Sequence, residues 1–175
     1  MTEDKYRFKS FIEVPKGATG VKSNDWWTPK WLFDKMNIEF DVDVASPLEP
    51  VSWIPANKFY TEIDDGLAQD WEGKVWMNPP YSTHTPKWLK KFCEHKNGIA
   101  LVFARTDTKW FHDYAVQGDA LNFMKGRIAF VSGETGKAGQ SAGAGSLLIA
   151  FGQECVEAIK KIEGFVVENT GQQSY

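Results

Sequence analysis

Lys74-Val75-Trp76-Met77-Asn78-Pro79-Pro80-Tyr81 is a short apolar run that stops at two consecutive prolines. Lys74 to Met77 reads as a strand. Pro79 and Pro80 fix φ and lack a backbone donor, so strand pairing cannot continue through them and the strand ends in a rigid corner. Upstream, Phe40, Val42 and Val44 alternate with Asp41 and Asp43, the period of a second strand. Pro47, Pro50 and Pro55 then exclude a normal helix. Before that strand, Ser23, Asn24 or Asp25 can cap a short helix from Thr28-Pro29, with Trp31, Leu32 and Met36 at helical spacing.

Downstream, residues 86–96 read as a helix, and Gly98 precedes a buried-type strand from Ile99 to Ala104. Lys109 to Val116 reads as another helix, followed by strands at Ala120–Met124, Arg127–Val131 and Ser146–Phe151 and a closing helix over Val156–Ile162. Residues 133–145 hold five glycines in thirteen positions and read as a mobile loop rather than a tight hairpin. Strands alternating with helices predict an α/β fold with an open, mostly parallel sheet and a C-terminal antiparallel hairpin. Residues 1–24 read as a flexible N-terminal arm, 25–167 as a single domain and 168–175 as a polar tail.

At 175 residues, with 42% hydrophobic and 25% charged, the chain can bury one full core and lacks the composition of a disordered segment. Its longest apolar run, Ile99 to Ala104, is far below the roughly 20 residues of a membrane span, and residues 1–30 hold no secretion-type apolar segment. Cys93 and Cys155 form no CxxC and read as reduced thiols of a cytoplasmic protein. A net charge of −3 conceals an asymmetry: residues 34–72 carry −8, residues 84–127 carry +4. All eight tryptophans fall between Trp26 and Trp110. That division suits a pocket for a cationic or hydroxyl-rich small molecule beside a surface for a polyanion.

The Asn78-Pro79-Pro80-Tyr81 corner carries the most specific chemistry. A planar amine on a nucleobase or amide is a poor nucleophile because its lone pair is delocalised. If the Asn78 side-chain oxygen and the Pro79 carbonyl both accept hydrogen bonds from that amine, its nitrogen is drawn towards tetrahedral geometry and its lone pair can meet an electrophilic methyl group. Pro79 and Pro80 pre-aim the carbonyl, and Tyr81 offers a face on which an extracted base can stack. Asn78 is neutral, so it positions rather than deprotonates. No metal is called for: His84, His95 and His112 have no metal-ligand spacing and read as surface or helix-end residues.

With these elements in place, the chain resembles the small phage-type, Dam-like DNA adenine-N6 methyltransferases, from about Asp25 to Phe151. The matching elements are Trp26-Trp27-Thr28-Pro29; Phe40-Asp41-Val42-Asp43-Val44-Ala45; Tyr60 with Asp65-Gly66-Leu67 and Asp70-Trp71; the Asn-Pro-Pro-Tyr corner; Arg105 to His112; and Gly126 to Phe130. The resemblance implies a Rossmann-like class I fold and S-adenosyl-L-methionine as methyl donor. It implies a cofactor pocket lined by Trp27, Thr28, Pro29, Asp41, Asp43 and Ala45, with Asp65, beside Asp64, meeting the cofactor's adenine amine. One departure is that Ala45-Ser46-Pro47-Leu48 stands where many methyltransferases carry a glycine-rich loop.

DNA is the expected partner, with no membrane and no choice made between monomer and dimer. In a parallel sheet the strands before Ala45, Asn78 and Arg105 end on one edge, so Arg105, the 133–145 loop and Ser146 should surround a flipped base. Lys109, Lys125, Arg127 and Lys137 are candidates for phosphate contacts. No room remains for a separate target-recognition domain, which implies short or relaxed sequence specificity. The setting implied is the cytoplasm of a phage-infected or prophage-carrying bacterium. The same corner also serves methylation of protein glutamine or RNA amines; Asn rather than Ser at position 78 disfavours cytosine N4. A non-catalytic single-strand binder using aromatic stacking is the reading from another class.

Overall fold

The computed structural model describes residues 26–170 apart from 49 and 134. The expected arm at 1–24, with its helix-capping residues, lies outside the described residues, as do residues 171–175. Among the described residues, ten strands and four α-helices occur in the order β1 (Trp26–Trp27), α1 (Lys30–Met36), β2 (Phe40–Asp43), β3 (Ala56–Phe59), β4 (Val75–Met77), α2 (Thr85–His95), β5 (Gly98–Phe103), α3 (Lys109–Asp113), β6 (Ala120–Met124), β7 (Ala129–Ser132), β8 (Ala138–Ser141), β9 (Ser146–Phe151), α4 (Gln153–Lys160) and β10 (Gly164–Glu168). A short 3-10 turn, Ala115–Gln117, follows α3.

Seven strands form the main sheet in the order β10-β6-β9-β5-β4-β2-β3. β3, β2, β4 and β5 are neighbours and parallel. β9 runs antiparallel between β5 and β6, and β10 antiparallel on β6. The fold is therefore mixed α/β on a large, mostly parallel sheet. Every residue of β5 and β9 is buried, which explains their unbroken apolar runs. One face is covered by α1, α4 and residues Ile128 and Phe130. The other is covered by α2 and α3 through Trp88, Leu89, Phe92 and Phe111. No helix among the described residues is long and apolar enough to cross a membrane.

The structure corrects the reading of the 133–145 segment. Residues 138–141 form β8, which pairs antiparallel with β7, and β7 in turn pairs with β1, making a separate three-stranded sheet. Glycine-rich composition was the misleading signal, because one glycine here serves packing. A Cβ on Gly139 would lie 2.3 Å from the ring of Trp26, so its absence seats that tryptophan. The strand expected at 127–131 accordingly leaves the main sheet. The antiparallel end of that sheet is built instead from β9, β6 and an unforeseen β10. Asn169, assigned to the tail, donates from its backbone N–H to the Asp119 carbonyl and through its side chain to the Val116 and Gly118 carbonyls, so that segment is tied to the fold just beyond β10. β3, inside the proline-rich stretch, was also unforeseen. α1 begins at Lys30, with Pro29 at its N-cap.

Candidate active site

β2, β4 and β5 end on one edge of the sheet, and β9 begins there: Asp43 is level with Trp76, Met77 with Ala100, and Phe103 with Ser146. In open α/β sheets such an edge is where ligands sit. Asn78, Ala45, Arg105 and Ser146 thus meet on that edge, as the strand order requires.

Asn78 leaves β4 on the α1 side of the sheet. Its Nδ2 donates to Thr28 Oγ1 at 3.2 Å, while its Oδ1 is buried with no hydrogen-bond partner among the described residues. Thr28 is only 1% exposed, and its carbonyl accepts from Trp53 Nε1 at 2.9 Å. Trp53 in turn meets Trp27 edge-on at 5.7 Å. Pro79 is buried and Pro80 half-buried, and their peptide bonds are trans. The ring of Tyr81 stacks on Phe103 with centroids 4.1 Å apart, and its hydroxyl donates to the Leu101 carbonyl at 3.5 Å. Burial pushes this phenol well above its usual pKa. One face of Tyr81 is therefore already covered by Phe103.

On the acidic side, the candidates separate. Asp43 is 2% exposed. Its Oδ1 accepts from the Ala45 backbone N–H at 3.1 Å, and burial pushes its carboxyl up to about 7. No cation among the described residues faces it, so this is a buried acid lacking a counter-charge at the open end of β2. Tyr60 N–H donates to the Asp43 carbonyl, and the Tyr60 carbonyl accepts from Ser46, which ties the segment beyond β3 to the same edge.

That segment, residues 60–71, is fastened at several points. Tyr60 Oη donates to the Asp70 carbonyl at 3.0 Å and Trp71 Nε1 to the Gly66 carbonyl at 2.7 Å. Lys91 of α2 donates to the Leu67 carbonyl at 2.8 Å and also to that of Gln69. Gly66 lies so close to β2 that a Cβ would sit 2.0 Å from the Val44 carbonyl oxygen. Asp65, immediately before it, holds φ at +53°, a left-handed conformation that a non-glycine residue seldom adopts. Asp64 faces the other way. Its carboxylate accepts from the Thr61 N–H and hydroxyl, both at 2.8 Å, and these bonds hold its pKa below the usual value. Asp41 is exposed and accepts from the Lys74 N–H at 2.6 Å, at the start of β4 and away from the shared edge. Of the four predicted acids, Asp43 lies at the open end of β2 and Asp65 on the segment seated against it, whereas Asp64 holds a local turn at Thr61 and Asp41 ties β2 to the start of β4.

The cations lie on segments that leave the same edge. Arg105 follows β5, and its carbonyl accepts from Thr108 Oγ1 at 2.7 Å. Lys109 pairs with Asp113 and Lys125 with Glu163, each at 2.5 Å, and both side chains are exposed. Arg127 Nη1 reaches the Ala142 carbonyl at 3.4 Å, and Lys137 is exposed at the turn between β7 and β8. Ser146 is 1% exposed with an unpartnered hydroxyl. It lies on the same side of the sheet as Phe103, directly opposite it in register. Trp53 and Lys91 had no signal in the sequence, because one sits among prolines and the other on an ordinary helical face.

The family model for DNA N-6-adenine-methyltransferase (Dam) matches residues 16–171. A DNA N-6-adenine-methyltransferase of Haemophilus phage HP1 (strain HP1c1) is 30% identical over 150 residues, covering 79% of this chain and 84% of that protein. One of Escherichia phage T1 is 31% identical over 148 residues, covering 70% of this chain and 60% of the longer relative. No solved structure matches the chain significantly.

Proposed function

The chain belongs to the DNA N-6-adenine-methyltransferase (Dam) family, and we propose a mechanism in which its Asn78 corner activates the exocyclic amine of a flipped-out adenine. The activity is methylation of adenine N6 in DNA. The observation that carries the mechanism is the buried, unpartnered Oδ1 of Asn78 at the open edge of the sheet. A buried acceptor without a donor costs about 1–3 kcal/mol, a cost that a substrate N–H would remove.

Asn78 Oδ1 and the Pro79 carbonyl accept the two N–H bonds of the amine. This draws its lone pair out of conjugation and towards the incoming methyl carbon. A C–N bond forms as the carbon–sulfur bond breaks and its electrons stay on sulfur. The extra proton on nitrogen leaves afterwards to water, so no strong base is required. Enzymes that modify a base inside a duplex take it out of the stack, which suits an acceptor buried at the open edge of the sheet.

S-adenosyl-L-methionine, when bound, supplies a methyl group on a positively charged sulfur. The chain suits it: Asp43 is a buried carboxyl with no counter-charge among the described residues, and it would hold the cofactor's ammonium or sulfonium, with Asp65 on the adjoining segment seated against β2. Four adjacent parallel strands with their candidate residues at the carboxyl ends support a Rossmann-like class I fold. Both relatives are phage proteins, and the reaction fits the cytoplasm of an infected or prophage-carrying bacterium.

With labelled S-adenosyl-L-methionine, the purified protein should transfer methyl to DNA, and digestion should release N6-methyladenine. N4-methylcytosine, or methylglutamine from a protein acceptor, would overturn the assignment. Asn78→Ala should lose at least about a hundredfold in turnover while still binding cofactor, because its hydrogen bonds act mainly in the transition state.

A further inference from the structure

We propose that Lys91 of α2 is a positioning residue for the cofactor: its ammonium gathers the backbone of residues 66–69 and thereby sets the place of Asp65 beside the end of β2. The inference rests on the reading of Asp65 and its segment as part of the cofactor site. It gives a role to a side chain that no motif in the sequence singles out.

The direction of these contacts follows from the groups themselves. An ammonium has three donors and no acceptor, and a carbonyl oxygen only accepts. Lys91 Nζ donates to the Leu67 carbonyl at 2.8 Å, to that of Gln69, and to that of Gly66 at 3.5 Å. Three carbonyls turned towards one point gather partial negative charge there, and a cation relieves it. The ammonium also stands over the ring of Trp71, 5.0 Å from its centroid, which adds a cation–π contact. Lys91 is half-buried. Burial lowers its pKa, and the nearby carboxylates of Asp70 and Asp65 act in the opposite sense.

The helix that carries Lys91 is the one that leaves the Asn78 corner. α2 starts at Thr85, whose hydroxyl donates to the Pro80 carbonyl at 3.4 Å. Trp88, one turn before Lys91, stacks on Trp71 with centroids 6.1 Å apart. One end of α2 therefore meets the corner that receives the base amine, and less than two turns further on the helix holds the segment bearing Asp65. Asp65 keeps φ at +53°, a conformation that persists in a non-glycine residue only where its surroundings impose it. The close seat of Gly66 on the Val44 carbonyl supplies one constraint, and the Lys91 bonds to the carbonyls that follow Asp65 supply the second.

The test compares Lys91→Met, which keeps the stem and removes every donor, with Lys91→Arg, which keeps charge and donors. Lys90→Met, at an exposed neighbour paired with Glu94, is the reference for losing a surface charge. Steady-state kinetics on duplex DNA and calorimetric binding of S-adenosyl-L-methionine are measured for each. We expect Lys91→Met to raise both KM and Kd for the cofactor by about tenfold, the scale of one lost charged hydrogen bond. With kcat at saturating cofactor and KM for DNA within about twofold, the loss is one of binding shared by ground and transition states. Lys91→Arg should recover most of the affinity, and Lys90→Met should match wild type. Lys91→Gln, a neutral donor, should fall between methionine and arginine and serves if the methionine variant does not fold. Wild-type cofactor Kd in Lys91→Met would overturn the proposal. So would equal losses in the methionine and arginine variants, or a fall in kcat with Kd unchanged. Asp65→Ala is the control: if it binds cofactor as wild type does, the reading of Asp65 fails and the proposal with it, whereas weak binding by Asp65→Ala beside wild-type binding by Lys91→Met sinks only the role of Lys91.

Discussion

The Asn78 amide nitrogen donates to the Thr28 hydroxyl across 3.2 Å, although the two residues are fifty positions apart in the chain. This bond joins the segment between β1 and α1 to the corner after β4, so the approach to the first helix and the end of a central strand form one unit. A double substitution tests what it controls. Asn78→Ala removes the amide and with it the contact to Thr28. Thr28→Val should therefore cost about tenfold in kcat beside Asn78 and less than about threefold in the Asn78→Ala background. Equal costs in both backgrounds, measured as a double-mutant cycle, would show that the contact merely packs.

The seat of the 60–71 segment on β2 is tested at Gly66. An alanine Cβ there would meet the Val44 carbonyl oxygen at 2.0 Å, and that atom belongs to backbone that cannot rotate away. The segment must lift, weakening the Trp71 Nε1 bond to Gly66 and the Lys91 anchor. Gly66→Ala should cost about 2–3 kcal/mol, or a fall in melting temperature of roughly 4–10 °C for a chain of this size. Because Asp65 rides on this segment, cofactor affinity should fall more than DNA affinity. An unchanged melting temperature would show that the segment is free to move.

Strand runs, the shared edge of β2, β4 and β5, and the proline corner were all legible because each is written in neighbouring residues. β5 and β9 are apolar throughout because both faces are buried. The features that escaped are set by distant partners. β3 is four residues with exposed Asn57 and Lys58, and it exists because β2 offers it a parallel neighbour. β8 is polar and glycine-bearing, and it exists because Trp26 packs on Gly139. Asp41 and Asp43 read alike in an alternating strand, yet one points out to hold the Lys74 N–H and the other points in beneath the shared edge. Strict alternation would put the two on one face; they part because the N–H groups of Asp41 and Val42 both reach the Lys74 carbonyl, at 2.8 and 3.4 Å, an irregularity that breaks the alternation between them.

Asp43 gives opposite pH signatures for stability and binding. Its carboxyl is raised from 3.8 to about 7 in the fold, so between those values the folded chain holds a proton that the unfolded chain does not. Stability therefore falls as pH rises through this window, and the full cost, on the order of 4 kcal/mol, is present above pH 7. Asp43→Asn should remove that decline, matching wild type near pH 4 and melting higher at pH 8. Cofactor binding should run the other way. The ionised carboxylate is the form that holds a cation, so affinity should be about tenfold tighter at pH 8 than at pH 6, with the asparagine variant weak and flat. Equal cofactor affinity in both proteins at both pH values would remove Asp43 from the cofactor site.

DNA affinity should depend on how each cation is already engaged. Lys125 lies 2.5 Å from Glu163, with both side chains exposed, and this pairing raises the pKa of the ammonium and lowers that of the carboxyl. A phosphate must compete with that carboxylate, whereas Lys137 is exposed at its turn and the contact of Arg127 among the described residues is a long one to the Ala142 carbonyl. If Arg127 and Lys137 each meet a phosphate, replacing either by alanine should reduce the slope of log affinity against log salt by about 0.9. Lys125→Ala should change it less, and Glu163→Gln should tighten DNA binding at low salt by releasing Lys125. Filter binding across a salt series separates these outcomes. Unaltered slopes for Arg127→Ala and Lys137→Ala would move the DNA track off the β7–β8 side of the edge and towards Arg105 and Lys109.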